Sequence, residues 1–477
     1  MTYRKCSNQY DENVRCLVCW ACVTDIYFQI LGCQGKTTNG ADRFIWKCIV
    51  PFITILLSFG RFPFQRNIKN DTSTFIYKWN SGRGLLFFFT SFVILAFNSL
   101  AIYGCIVEYL SARYYRHTDS CTFNCANHSN NGSTTDKSSI NDNNPMFIIL
   151  CLVFTSNALF QSIMPIFIGQ KTARFLTSWP EGLMETGLHI KNGMIKHVVF
   201  QVTYIICFVM MMITLFVTPP KEGDFHFVVD AIRMLMKQTL QMFLKEPDEI
   251  PYLRNIFFSF LVICFCSYNC YIFIYLCVSR TLKNAFSDWN NRIIKAICLK
   301  TIFSSSCHPL SVRSEGDNVY EDLEHLINSH FALVDIVTMA NDVFAPVIQG
   351  FFATQILMIC AELHIIVNVE WVDEVHSPIF VAFVISTFVL LYITTIIASD
   401  VHDEAMEGFA RVGKMMKMDL TFREEKRLKT LLTSFSSSPI FMTGGKFFSI
   451  NRGFFLTIVG VTSTYFFVIC QMTKTTY

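Results

Sequence analysis

Charge is scarce in this chain: Asp, Glu, Lys and Arg make up only 16% of 477 residues, and 39 basic against 36 acidic side chains leave a net charge of +3. A balance so close to zero gives no electrostatic footprint for nucleic acid, which needs a dense basic surface to displace counterions. No Gly-rich phosphate loop, no nucleophile elbow and no His-Glu-x-x-His is present, so the common signatures of phosphoryl transfer, acyl transfer and zinc hydrolysis are missing. The reading is therefore not an enzyme, with no cofactor. Cys16, Cys19 and Cys22 are spaced like metal ligands, but no His or second Cys pair at matching distance completes a set of four. They are read as acylation sites or surface packing, with no metal. The first dozen residues are polar, which predicts no cleavable signal peptide and leaves the first spanning segment as the insertion signal.

Apolar bulk takes the place of charge. Hydrophobic residues make up 52% of the chain, Phe alone numbers 48, and the mean hydropathy is +0.39. This is the composition of a protein that uses the bilayer as solvent. Seven apolar runs approach the 20 or so residues that cross a membrane as a helix: Leu85 to Leu110, Pro145 to Ile168, Val198 to Thr218, Ile256 to Val278, Phe344 to Cys360, Pro378 to Ala398 and Gly453 to Met472. Two earlier runs, Cys16 to Cys33 with Asp25 inside and Trp46 to Gly60 with Pro51 inside, are read as interfacial or re-entrant helices.

One absence orients the chain. The stretch from Glu362 to Ser377 has no Lys or Arg, whereas Arg61, Arg66, Lys69, Lys78 and Arg83 precede the first span and Arg411, Lys414, Lys417, Arg423, Lys426, Arg427 and Lys429 precede the last. The positive-inside rule then puts the N-terminus in the cytoplasm, the acidic loop outside and, after seven spans, the C-terminus outside. The sequons at Asn127 and Asn131 fall in a loop that the same rule places outside, which predicts glycosylation there. Cys121 and Cys125 share that loop, free to bridge each other or another loop. This arrangement is inverted relative to a G-protein-coupled receptor. The Asp/Glu-Arg-Tyr triplet and the Asn-Pro-x-x-Tyr of such receptors are also missing.

The organisation follows: 1–84 a cytoplasmic segment with interfacial helices; 85–278 the first four spans with an outer loop at 111–144; 279–343 a cytoplasmic loop and helix extension; 344–399 spans five and six; 400–449 a second cytoplasmic segment; 450–477 the last span and an outer C-terminus. A Ser/Cys/His/Pro-rich break at Ser304 to Ser314 marks a surface loop. Beyond it Tyr320, Leu323, Ile327, Phe331 and Val334 recur at helical spacing, which predicts that the fifth span continues well past the membrane.

Polar residues inside the last run carry the most information. Gly460, Thr464, Phe467 and Gln471 follow the i, i+4, i+7, i+11 rule of one helix face. Such a face lines a water path, or it hydrogen-bonds to other helices of the same chain.

Thr464 to Met472, read Thr-Tyr-Phe-Phe-Val-Ile-Cys-Gln-Met, resembles the Thr-Tyr, five hydrophobic residues, Gln-Phe ending of the insect gustatory receptors, with Met472 in the place of Phe. Gly445 to Arg452 resembles the approach to the same helix in the sugar-receptor branch, although Phe466 stands where an acidic residue often follows the Thr-Tyr pair there. Lys78 to Ser81, Trp179-Pro180 and Asn328 to Asp335 are further echoes. The resemblance implies an all-α plasma-membrane taste receptor acting as a ligand-gated, nonselective cation channel. It implies a homo- or hetero-tetramer with other gustatory receptors, permeated by monovalent and divalent cations, with the last helix lining the pore. Thr464, Phe467, Gln471 and Met472 then form the gate, Tyr465 packs sideways, and Arg280 to Asp342 with Asp400 to Ser436 anchor the subunits near the fourfold axis. The rivals are a seven-span receptor that signals through partner proteins without its own pore, and a transporter.

A tastant is expected to bind from outside. Carbohydrate recognition combines an aromatic face with hydrogen-bonding groups. Gln355, Glu362 and His364 at the end of span five, with Trp371 and Asp373 in the acidic loop, supply both. Trp371 equally suits an interfacial anchor, and Asn157, midway along span two, suits either ligand contact or a bond to a neighbouring helix.

Overall fold

The structure is a computed structural model that describes residues 40–69, 72–78, 80–126, 145–186, 194–217, 251–305, 312–368, 377–418, 420–437 and 440–474. Its elements are α1 (Gly40–Ser58), β1 (Phe64–Lys69), β2 (Thr72–Tyr77), α2 (Gly82–Ala126), α3 (Pro145–Glu185), α4 (Met194–Val217), α5 (Pro251–Ser305), α6 (Val312–Asn368), α7 (Ser377–Met415), α8 (Phe422–Ser437), β3 (Thr443–Gly444), β4 (Phe448–Ser449) and α9 (Arg452–Lys474). Each of the seven apolar runs falls in one of α2 to α7 or α9. Among the described residues four stretches, Gly82–Gly104, Phe258–Cys298, Leu323–Leu363 and Val384–Met415, are long and apolar enough to cross a membrane, and Lys196–Met210 and Arg452–Val468 are shorter apolar helices. The sequons at Asn127 and Asn131, the Cys16 to Cys33 run, Trp371 and Asp373 lie outside the described residues. Cys121 and Cys125 fall in the last turns of α2.

Caps mark where several helices start. The Ser81 hydroxyl accepts the Gly84 N–H at 3.0 Å before α2. Thr421 and Glu424 form a reciprocal capping box at α8, with the Thr421 N–H donating to Glu424 Oε2 at 2.8 Å. Asn451 Oδ1 takes the Phe454 N–H at 2.8 Å before α9.

The run expected on the membrane surface, Trp46 to Gly60, forms α1 and buries Ile49, Phe52 and Leu56 completely against the bundle, where the Phe52 ring lies 5.7 Å from Phe273 of α5. After it, β1 and β2 pair antiparallel, Phe64 opposite Tyr77 and Lys69 opposite Thr72. The Phe75 N–H donates to Thr177 Oγ1 at 2.8 Å and ties the hairpin to α3.

The centre of the bundle is the contact of α6 with α3 and α5. A Cβ at Gly350 of α6 would stand 2.4 Å from the Phe160 ring of α3. Only glycine lets these helices approach so closely. As expected, the fifth apolar run belongs to a much longer helix: α6 is 57 residues without a break.

Where α5, α6 and α7 meet α8, the same core continues as an aromatic cluster. Trp289 of α5 is fully buried and its Nε1 donates to the Leu326 carbonyl of α6 at 2.8 Å. His330 stacks between Trp289 at 4.9 Å and Phe435 of α8 at 4.2 Å. The expected apolar stripe takes Phe331 as the inward residue, but its neighbour His330 is fully buried while Phe331 is 36% exposed. Helical phase set by the neighbouring turns, with Leu326, Ile327, Leu333 and Val337 all buried, outweighs the polarity of a single ring.

Candidate functional site

Five helices surround a cavity of about 60 Å³, space for a handful of waters. Tyr204 and Phe208 of α4 and Phe265 and Tyr268 of α5 give it aromatic walls. Asn157 of α3, Asn269 of α5, Thr354 and Gln355 of α6, and Ser386 and Thr387 of α7 contribute its polar groups. Phe208 and Phe265 stack with centroids 3.7 Å apart.

Tyr268 organises one side of the cavity. Its hydroxyl accepts the Gln355 Nε2–H at 3.2 Å and is hydrogen-bonded to Asn157, and its ring stacks on Phe351 at 5.8 Å. Tyr204 is hydrogen-bonded to Ser386 across the cavity. Donors in this lining are thus largely engaged with one another. The acceptors are not: Asn269 spends its Nδ2–H on the Phe265 carbonyl at 2.9 Å, which leaves Oδ1 without a partner among the described residues.

Two of the expected ligand residues, Gln355 and Asn157, come together here. Glu362 lies on the same face of α6, one turn beyond Met358, which lines the cavity. It is fully buried and neither carboxyl oxygen has a partner. Tyr204 of the lining lies on its side of the cavity. His364 stands in the last turns of α6; Trp371 and Asp373 lie beyond the described residues. Sequence reasoning passes over the α4, α5 and α7 contributors. The signal is present, since Ser267-Tyr268-Asn269 and Ser386-Thr387 interrupt apolar runs, but each is as consistent with helix packing until the helices are assembled.

The same α6 also holds the approach to the last helix. Asn341 Nδ2 donates to the Phe441 carbonyl at 2.7 Å while Asn341 Oδ1 accepts the Thr443 N–H at 3.0 Å. The Gly445 N–H reaches the Ala345 carbonyl at 2.7 Å. Gly445 and Lys446 turn the β3–β4 hairpin with φ of 61° and 64°, and Lys446 pairs with Asp342 at 2.9 Å. Beyond the turn, Phe448 and Phe454 stack at 4.5 Å and both meet Phe352 of α6. Arg452 opens α9 and reaches Asp403 at 3.0 Å and Asp400 at 3.5 Å on α7, and Asp400 also pairs with Lys283 of α5.

Along α9, Ile458 and Thr462 are buried against the rest of the chain. Thr464, Phe467 and Gln471 are exposed on the other side, Phe467 at 64%, and the Thr464 hydroxyl donates back to the Gly460 carbonyl at 2.9 Å. Met472 lies in the final turn of α9, and Tyr465 is half-buried beside Cys360 of α6.

The sequence matches no protein-family model and no curated protein. The fold is similar to that of the insect olfactory receptor OR5 from Machilis hrabei. A structure of that receptor in complex with eugenol aligns over 90% of this chain and 99% of the receptor, with a TM-score of 0.56 at 12% identity. A second structure of OR5 aligns over the same shares with a TM-score of 0.54 at 11% identity. At such identity the likeness is one of fold: the chain is helical, with four described stretches long and apolar enough to cross a membrane, and it is folded like OR5.

Proposed function

We propose that the chain is a gustatory-type chemoreceptor acting as a ligand-gated, nonselective cation channel. Four copies surround a pore lined by α9, and a small tastant, a sugar in the first instance, opens it from the cavity between α3, α4, α5, α6 and α7. The observation that carries the reading is the continuity of α6. One unbroken helix supplies Thr354, Gln355 and Met358 to the cavity and Asn341, Asp342 and Ala345 to the hairpin that leads into α9. A ligand that spreads or tightens the cavity therefore acts on the same helix that sets the start of the last one, with Pro346 between the two sets of contacts. An agonist opens a channel only through a difference in affinity between closed and open forms. An agonist supplies that difference when the cavity walls close on it better in the open form than in the closed one.

The ring of α9 helices is supported by the exposure of Thr464, Phe467 and Gln471 on the side turned away from the subunit's own core. Fourfold repetition would place a polar ring of Gln471 beside the apolar ring of Phe467, which gates by excluding water. The test is recording from excised patches of cells that express this chain alone. Agonist-evoked cation currents that persist under G-protein block are expected. Responses that vanish on excision or under G-protein block, with no unitary currents, would assign the chain to a receptor without its own pore.

A further inference from the structure

The cavity carries a chemical bias that its fold does not require. Its donors are paired internally, Gln355 with Tyr268 and Ser386 with Tyr204, while Asn269 Oδ1 in the lining and both oxygens of Glu362, buried just behind the lining, have no hydrogen-bond partner among the described residues. Glu362 is fully buried and forms no salt bridge with any described residue, and no Lys, Arg or His lines the cavity. A buried carboxyl with neither a cation nor a donor is costly, and evolution could remove it with a Gln or Leu at no loss of helix. Its place on α6, one turn past Met358, sets it directly behind the lining, on the side of Tyr204.

We propose that this side of the cavity is a binding site for a protonated amine, the ammonium group pairing with Glu362 while the ligand's body lies against Tyr204, Phe208, Phe265 and Tyr268. The proposal rests on the cavity being the agonist site and narrows the ligand to amine-bearing molecules, an amino sugar among them. An ammonium ion and a buried carboxylate are each costly to desolvate alone and offset one another when they meet. Tyr and Phe ring faces add cation–π attraction, and Asn269 Oδ1 offers a further acceptor for its N–H groups. A neutral ligand of the same shape leaves Glu362 unsatisfied, which is how a site with an unpaired buried polar group discriminates most sharply.

The test uses matched probes on the purified full chain in nanodiscs at pH 7: 2-phenylethylamine against 2-phenylethanol, and glucosamine against glucose, with binding read by calorimetry and gating by patch recording. In at least one pair the amine is expected to bind at least tenfold more tightly than its neutral partner. Glu362→Gln, which keeps size and removes charge, is expected to abolish that advantage while leaving the neutral partner within twofold. Glu362→Asp, which keeps the charge on a shorter stem, should retain part of it and guards against a folding defect in the first variant. Equal affinity within both pairs, no binding of either amine, or an amine advantage that survives Glu362→Gln overturns the proposal. Amine binding without any evoked current keeps the amine site and removes the channel reading alone, whereas currents evoked with equal affinity by amine and neutral partner in both pairs keep the channel and remove the amine site.

Discussion

Asn341 does for the outer edge of the hairpin what a further strand would do, satisfying the Phe441 carbonyl and the Thr443 N–H beside the β3–β4 pairing. Truncation to Ala leaves both groups without their partner at a cost of about 1–3 kcal/mol. Asn341→Ala is therefore expected to lower the melting temperature of the purified protein and to reduce the maximal agonist-evoked current more than it shifts the half-maximal concentration. An unchanged maximal current would separate the hairpin from gating. At the other end of the route, Gln471→Ala is expected to change leak current or open probability at unaltered surface expression. Currents indifferent to substitution at both Gln471 and Phe467 would take this face out of the pore. Which residues sit in the cavity was only partly legible beforehand. Gln355, Glu362 and Asn157 stand out as polar groups in apolar runs, yet Tyr204 and Phe208 carry no mark, because an aromatic side chain in a membrane helix looks the same whether it meets lipid, protein or a cavity. Phe331 was taken as inward for the opposite reason: its neighbour His330, a ring usually counted as polar, is the one enclosed by Trp289 and Phe435.

The helices themselves were legible because a scarcity of charge over 20 or so residues is a strong signal, and each apolar run lies within one of them. Of their ends only the extension of α6 was legible, from the helical spacing of Tyr320 to Val334. Elsewhere the apolar signal stops where the membrane would, whereas α5 and α7 run on through charged segments and are joined to α6 and α8 by Trp289, Asn290, His330 and Phe435. That join is long-range, and periodicity along one segment cannot reveal it. The fit of α6 against α3 depends on a single missing side chain. Gly350→Ala places a Cβ 2.4 Å from the Phe160 ring, so that either the ring or the helix must move, an overpacking cost of about 1–3 kcal/mol. Thermal melting should register the loss, and Phe160→Leu in the same chain should recover part of it.

At the scale of the whole molecule the proposed orientation has a direct chemical readout. Asn127 and Asn131 are expected to carry at least one glycan in a eukaryotic membrane, and an epitope after Tyr477 is expected to be stained on intact cells. Unglycosylated sequons together with staining only after permeabilisation would invert the arrangement. Crosslinking in native membranes is expected to give four copies per assembly. Symmetry of that kind is invisible in one chain's sequence, since it lies in how the exposed face of α9 meets its copies and not in any residue alone.

The unbroken length of α6 gives these scales a mechanical connection. At 1.5 Å per residue its 57 residues make a rod of about 85 Å, nearly three times the thickness of the hydrocarbon layer. The notch at Gly350, where Phe160 holds the rod against α3, divides it unequally. Met358 beside the cavity lies about 12 Å to one side, while Leu323 in the far aromatic cluster lies about 40 Å to the other. Turned as one body about that notch, such a helix is a lever with an arm ratio of about three: a sideways displacement of about 1 Å at the cavity would arrive as roughly 3 Å at the distant end, less the bend taken up at Pro346 one turn into the long arm.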